Sequence, residues 1–178
     1  MICNNMIVRE SLINENKKDI ELSAGLAVIQ NGTILLVHPK DSEWWGTFSI
    51  PKGHIEEGEK PIDAAIRETQ EEIGLTISKH EIKAFVPGVR NYVDFKNEKG
   101  EVYKRVYFFV AMPDEKVTTE MLIPDKVEID WGGFLNKEKA AQRINPKLIS
   151  ILDLIEDENG DYKDNNIENS EEDLDLGI

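Results

Sequence analysis

Two aliphatic, β-branched runs, Ala24–Gln30 and Thr33–His38, are separated by Asn31-Gly32. Asn-Gly tolerates the positive φ that a type I′ turn demands at both central positions, so the two runs predict a hairpin. A loop carrying Trp44 and Trp45 follows. The short run Thr47–Ile50 then reads as a strand ended by Pro51, and Gly53–Gly58 as a loop. From Lys60 to Ile73 the apolar residues recur with the helical period, with Pro61 in the first turn and Gly74 where a left-handed cap belongs. Glu81–Val86, Val89–Phe95 and Val102–Met112 read as strands, the last two joined in a hairpin across Lys96–Gly100. Val127–Phe134 is a further strand. Lys137–Ile155 reads as one or two helices broken at Pro146, with Leu148, Ile149, Ile151, Leu152 and Ile155 as the apolar face. This order of elements predicts an α/β fold, a mixed sheet packed between helices.

The 60–73 helix repays a closer look. At about 100° per residue, with Pro61 at zero, Ile62, Ile66, Thr69 and Ile73 fall between about 80° and 140° and form a packing stripe. Glu68, Glu71 and Glu72 fall between about 280° and 20°, with the small Ala64 among them, which predicts open space above a crowded acidic face. That face is unfavourable by itself. Glu68 and Glu72 are like charges four residues apart, which costs roughly 0.2–0.5 kcal/mol. Glu71 and Glu72 also sit at the negative end of the helix dipole. Arg67 pairs with Glu71 across one turn, yet one arginine does not neutralise three carboxylates. A bound hard cation reverses the penalty, because clustered carboxylate oxygens with room for water and phosphate suit Mg²⁺.

Composition narrows the setting. The 178 residues are 40% hydrophobic and 31% charged, as in an ordinary globular domain. No apolar run reaches bilayer length and no signal-peptide pattern opens the chain, so a cytoplasmic protein without membrane contact is expected. The single cysteine, Cys3, excludes an intramolecular disulfide and a cysteine metal site. Net charge is −14, and residues 156–178 hold ten acidic residues against Lys163 alone. That segment reads as a solvated, disordered tail, with docking to a protein partner or weak capture of cations as its alternative uses. The acidic balance argues against duplex nucleic acid as a ligand.

The stretch GHIEEGEKPIDAAIRETQEEIGL resembles the box of the Nudix hydrolase family, Gly-x5-Glu-x7-Arg-Glu-U-x-Glu-Glu-x-Gly-U, where U is bulky and apolar. Here it runs Gly53, Glu59, Arg67, Glu68, Thr69, Glu71, Glu72, Gly74 and Leu75. The one departure is Thr69, which still offers a methyl to the packing stripe. The resemblance implies an α/β/α sandwich over residues 21–155, between an N-terminal segment 1–20 and the acidic tail. It implies Mg²⁺, or Mn²⁺ in its place, held by Glu68, Glu71 and Glu72 with the Gly53 carbonyl, and Arg67 and Glu59 orienting those carboxylates. The implied reaction is attack of water on a diphosphate joined to another moiety, with a glutamate as general base. Glu128 is the candidate outside the box.

Around the box, Trp44–Glu72 is most similar to hydrolases of diadenosine polyphosphates such as Ap4A. Tyr92, the Lys104-Arg105-Val-Tyr107 strand and the segment Glu128–Phe134 add to that likeness. A small nucleotide substrate of this kind needs cations along its phosphates, for which Lys52, Lys104, Arg105 and His54 are candidates. Its base needs an aromatic platform, for which Tyr92, Tyr103, Tyr107 or Trp45 is available. Lys104 and Arg105 point to opposite faces of a strand, so at most one of them faces the site. His38 and His80 receive no role. Removal of pyrophosphate from RNA 5′ ends, cleavage of nucleoside triphosphates or ADP-ribose, and a regulatory module that binds nucleotide without turnover are the alternatives. Diphosphoinositol polyphosphates need a denser cluster of Lys and Arg than this chain has.

Overall fold

The computed structural model describes residues 20–83 and 90–155. Cys3 with the N-terminal segment, the acidic segment 156–178, and residues 84–89 lie outside the described residues. The last of these hold the end of the strand predicted at 81–86 and the first residue of the one predicted at 89–95. Among the described residues the strands are β1 (Glu21–Gln30), β2 (Thr33–Pro39), β3 (Lys52–His54), β4 (Ile82–Lys83), β5 (Tyr92–Lys96), β6 (Val102–Ala111) and β7 (Ile129–Asn136). The α-helices are α1 (Pro61–Ile73) and α2 (Lys137–Arg143), and a 3-10 run spans Pro146–Leu154.

The strands form one sheet in the order β4-β6-β1-β2-β7, with β3 beside β1 and β5 beside β6. β1 runs parallel to β6, and the other pairings are antiparallel, so the sheet is mixed. Alternation along β1 builds two cores. Ala24, Leu26 and Val28 meet Ala64, Ala65 and Ile73 of α1 on one face. Ala27 and Ile29 meet Leu148, Ile151, Leu152 and Ile155 on the other. Each buried aliphatic side chain of this size contributes about 1.5–3 kcal/mol, and both faces are covered. The result is the α/β/α layering expected from the order of elements.

The hairpin turn forms at Asn31-Gly32, with φ of 47° and 67°. β1 and β2 stay paired only at Ile29↔Ile34 and Gln30↔Thr33 and then separate. The segment 48–54 fills the gap: Val37 pairs with Ser49, Leu26 N–H donates to the Pro51 carbonyl at 3.2 Å, and Ser23–Gly25 pair with Lys52–His54. This split in the sheet sets the start of the Nudix-like loop against α1.

Several expectations change. Thr47–Ile50 is not a continuous strand but two isolated bridges, because Phe48 turns away to pair with Ile144. Gly53, read as the start of a loop, is the middle of β3 opposite Ala24. The terminal helical segment breaks at Ile144–Asn145, and its second half is 3-10, opened rather than broken by Pro146. Ile149 is 46% exposed and leaves the apolar face, since three residues per turn rotate it outward. On α1, Ala64 is fully buried, and Ile62 and Ile66 are only half-buried. The packed arc is therefore rotated toward Glu68 and Glu72, which lie along its edge rather than opposite it. Gly74 ends α1 with φ 71°, its N–H bonded to the Gln70 carbonyl.

Gly25 is where this packing is least tolerant. A Cβ there would stand 2.4 Å from the Pro51 carbonyl oxygen and 2.6 Å from Lys52 Cβ. Backbone is the obstacle, so Gly25→Ala is expected to destabilise by about 1–3 kcal/mol or more. Urea unfolding checks this; an unchanged midpoint contradicts it.

Candidate active site

A cavity of about 610 Å³ opens where β3 meets α1, lined by Lys52, Gly53, His54, Glu68, Glu71, Glu72, Lys104, Asp125 and Glu128. Three separate stretches supply it: Lys52 with the box, the start of β6, and the segment that leads into β7.

Arg67 organises the carboxylate side from behind. Its Nε donates to Glu59 Oε1 at 2.9 Å and Nη2 to Glu59 Oε2 at 2.9 Å. Nη2 also donates to the His54 carbonyl at 2.9 Å, and Nη1 to Glu68 Oε1 at 2.8 Å and Glu71 Oε2 at 3.1 Å. All five guanidinium N–H groups thus have an acceptor. The paired Arg67 charge holds the Glu59 carboxyl below the usual range. The glycine at 53 has a steric reason, since a Cβ there would lie 2.1 Å from the Glu68 carboxyl.

Glu72 is handled differently. The Lys52 backbone N–H donates to its Oε2 at 3.1 Å. Burial raises the Glu72 carboxyl to about 7; the Lys52 charge and that backbone bond oppose the rise, while Glu68 and Glu128 add to it. Burial lowers the Lys52 ammonium, with the Glu72 charge opposing. Glu128 and Glu72 line the same cavity.

On the other wall, Lys104 Nζ bonds Glu21 Oε1 at 2.5 Å, and His54 Nε2 lies 3.2 Å from the same oxygen. The Lys104 ammonium holds the Glu21 carboxyl down. Arg105 points away and grips Asp94 in a two-bond pair at 2.7 and 3.1 Å. The alternation read from the strand is what the structure shows.

None of the four aromatic candidates, Tyr92, Tyr103, Tyr107 and Trp45, lines this cavity. Tyr92 stands opposite Tyr107 and so projects from the other face than Lys104, which stands opposite Phe95. Its ring lies under Arg105 at 4.0 Å and Arg90 at 4.8 Å. Trp45 is 58% exposed with Arg143 stacked on it at 4.0 Å, while Trp44 packs on His38 and Phe48. Asp125 and Glu21 were missed. Asp125 precedes Glu128 by one turn's spacing, the only sign of it in the sequence. Glu21 meets Lys104 through the parallel β1–β6 register, which local patterning does not reveal.

The donor set suits a hard cation: five carboxylates and no thiolate, with two lysines in the same lining. Among the described residues no three acidic or imidazole side chains converge as a finished metal cage. Such a loose oxygen site fits an ion that keeps water and phosphate in its shell, as Mg²⁺ does.

The family model described as the NUDIX domain matches residues 20–154. The chain belongs to the Nudix family, and it spans about half the length, or less, of the curated relatives it matches. It is 33% identical over 75 residues to the asymmetrical bis(5′-nucleosyl)-tetraphosphatase of Rattus norvegicus, a match covering 42% of this chain and 51% of the rat protein. It is 28% identical over 138 residues to the m7GpppN-mRNA hydrolase of Saccharomyces cerevisiae, covering 76% of this chain and 13% of the yeast protein. The fold matches the MutT NUDIX hydrolase of Burkholderia pseudomallei with a TM-score of 0.61 at 16% identity, over 78% of this chain and 99% of that one. Among the described residues no helix is long and apolar enough to cross a membrane.

Glu72 makes the metal-free stability depend on pH. As pH rises from about 4.5 through 7, the unfolded chain gives up this proton before the folded one does. Stability falls across that window, at most by about 1.4 kcal/mol per pH unit. Chemical unfolding from pH 5 to pH 8 should show the fall, flattened in Glu72→Gln and offset by added Mg²⁺ chiefly at the alkaline end. The same slope in the variant contradicts this assignment.

Proposed function

We propose that this enzyme hydrolyses a phosphoanhydride bond of a dinucleoside polyphosphate, Ap4A being the working substrate, with Mg²⁺ as its metal and Mn²⁺ as a substitute. The observation that carries the reading is the mixed charge of the cavity lining, which brings Glu68, Glu71 and Glu72 together with Lys52 and Lys104. Glu68, Glu71 and Glu72, with the Gly53 carbonyl, are the groups that would hold the metal. When bound, it would neutralise phosphate charge and make water more acidic. Arg67 and Glu59 keep Glu68 and Glu71 aimed at the cavity.

Lys104, Lys52 and His54 meet the phosphate oxygens, and Glu21 keeps Lys104 and His54 in place until phosphate arrives. Glu128 takes the proton from the attacking water. A water oxygen–phosphorus bond forms as the bridging P–O bond breaks, and one nucleotide leaves on the bridging oxygen. The rat relative supports the substrate by its name, and a polyphosphate chain uses two separated lysines. The yeast relative brings RNA 5′-end hydrolysis into view. The excess of carboxylates around the cavity and the net charge of −14 disfavour extended RNA contacts.

A parallel turnover panel of Ap4A, capped RNA, ADP-ribose, NADH and nucleoside triphosphates with Mg²⁺ tests the proposal. Nucleotide release from Ap4A at the highest kcat/KM is expected. Glu71→Gln, Glu72→Gln and Glu128→Gln should each lower kcat by about a hundredfold or more, and Lys104→Ala should raise KM about tenfold. Preferred turnover of capped RNA overturns the substrate, and silence across the panel overturns the catalytic reading.

A further inference from the structure

His38, which carried no signal in the sequence, sits in an unusual setting. It is 2% exposed, held between Trp44 and Phe48 at ring distances of 4.6 and 4.8 Å. Nδ1 faces Asp130 Oδ1 at 2.6 Å. Nε2 faces the Glu43 carbonyl and Ser42 Oγ, each at 3.1 Å. Ser42 Oγ also bonds the Pro39 carbonyl at 2.6 Å. His38 thus bridges Asp130 through one ring nitrogen and the Glu43 carbonyl and Ser42 through the other.

Its two sides belong to different parts of the molecule. Glu43 and Ser42 belong to the tryptophan loop, and Asp130 belongs to β7. The β2–β7 register shifts at this point: His38 stands opposite Trp131 and Pro39 opposite Ile129, so Asp130 is the extra residue of a bulge. A bulge re-aims the side chain it leaves unpaired, and here it aims Asp130 at His38. Next along the chain, Lys40 N–H donates to the Glu128 carbonyl at 2.8 Å, and Lys40 Nζ to the Lys126 carbonyl at 3.1 Å. On the opposite side, Asp125 N–H bonds the Glu72 carbonyl at 2.9 Å and Ile123 N–H the Ile73 carbonyl at 2.8 Å. Segment 123–130 is thus fastened to the end of α1 on one side and to residues 38–40 on the other. Glu128, which lines the cavity, lies between the two fastenings.

We infer that His38 and Asp130 are positioning residues that set Glu128 in the cavity through the β7 bulge. The inference rests on the reading of Glu128 as the general base. Asp130 is the better point of attack, because its side chain is 44% exposed and its removal leaves little packing unfilled. A displacement of about 1 Å in a base can cost about a hundredfold in rate. With the full chain, Mg²⁺ and Ap4A, Asp130→Ala should lower kcat by about tenfold to a hundredfold with KM within about threefold. Asp130→Asn keeps an oxygen for His38 Nδ1 and should restore kcat to within about threefold. Adding Asp130→Ala to Glu128→Gln should cost little more than Glu128→Gln alone, since both act on one step.

Amide exchange supplies a second reading that needs no turnover. In Asp130→Ala the Lys40 amide should exchange at least about tenfold faster, with amides of β1 unchanged. Unchanged kcat, equal impairment in Asp130→Asn, or an unchanged Lys40 amide overturns the positioning role. If the wild-type chain turns over nothing in the substrate panel, the proposed function fails, and the exchange result still decides whether His38 and Asp130 hold this segment.

Discussion

Arg67 is the interaction on which the rest of the site depends. Its five N–H groups reach Glu59 twice, Glu68, Glu71 and the His54 carbonyl, so one side chain ties the end of β3, the following loop and two turns of α1 together. Without it, Glu68 and Glu71 would repel each other and Glu72 at the negative end of a helix. A lysine is no substitute, because a point charge on a flexible stem does not reproduce a planar fork. The guanidinium fixes carboxylate positions but leaves oxygen lone pairs facing the cavity.

The charge pattern follows from that arrangement. Glu68 and Glu71 are compensated from behind by Arg67, whereas Glu72 has only the Lys52 charge and backbone N–H to set against the penalty of its own burial. On the proposed reading a hard cation would relieve this electrostatic penalty, and Lys52 and Lys104 would receive phosphate beside it. The fold supplies the geometry through one irregularity. β1 and β2 part after two residue pairs, and segment 48–54 enters the gap.

The box was readable because its residues are bound by local spacing: a helical period fixes which carboxylates share a face, and Gly74 marks the end of α1. The long strands were legible from alternation, including the opposite directions of Lys104 and Arg105, whereas the short β3 read as a loop. Contacts set by long-range register were not legible. Glu21 meets Lys104 only because β1 and β6 run parallel, and Tyr92 faces away from Lys104 because of its pairing with Tyr107. Nor did the sequence show that α1 rolls toward its acidic edge, since the buried Ala64 reads on a helical wheel as open space. His38 stayed silent for a related reason, as its meaning comes from a bulge ninety residues away.

The central claim is that the cavity beside β3 and α1 is a divalent-cation site built for phosphate chemistry. Crystals of the full chain soaked in Mn²⁺, with anomalous diffraction measured near the manganese edge, test it most directly. The account predicts a peak inside the cavity bounded by Gly53, Glu68, Glu71 and Glu72. An empty cavity at saturating Mn²⁺, with the ion found only on other acidic surface, would contradict it.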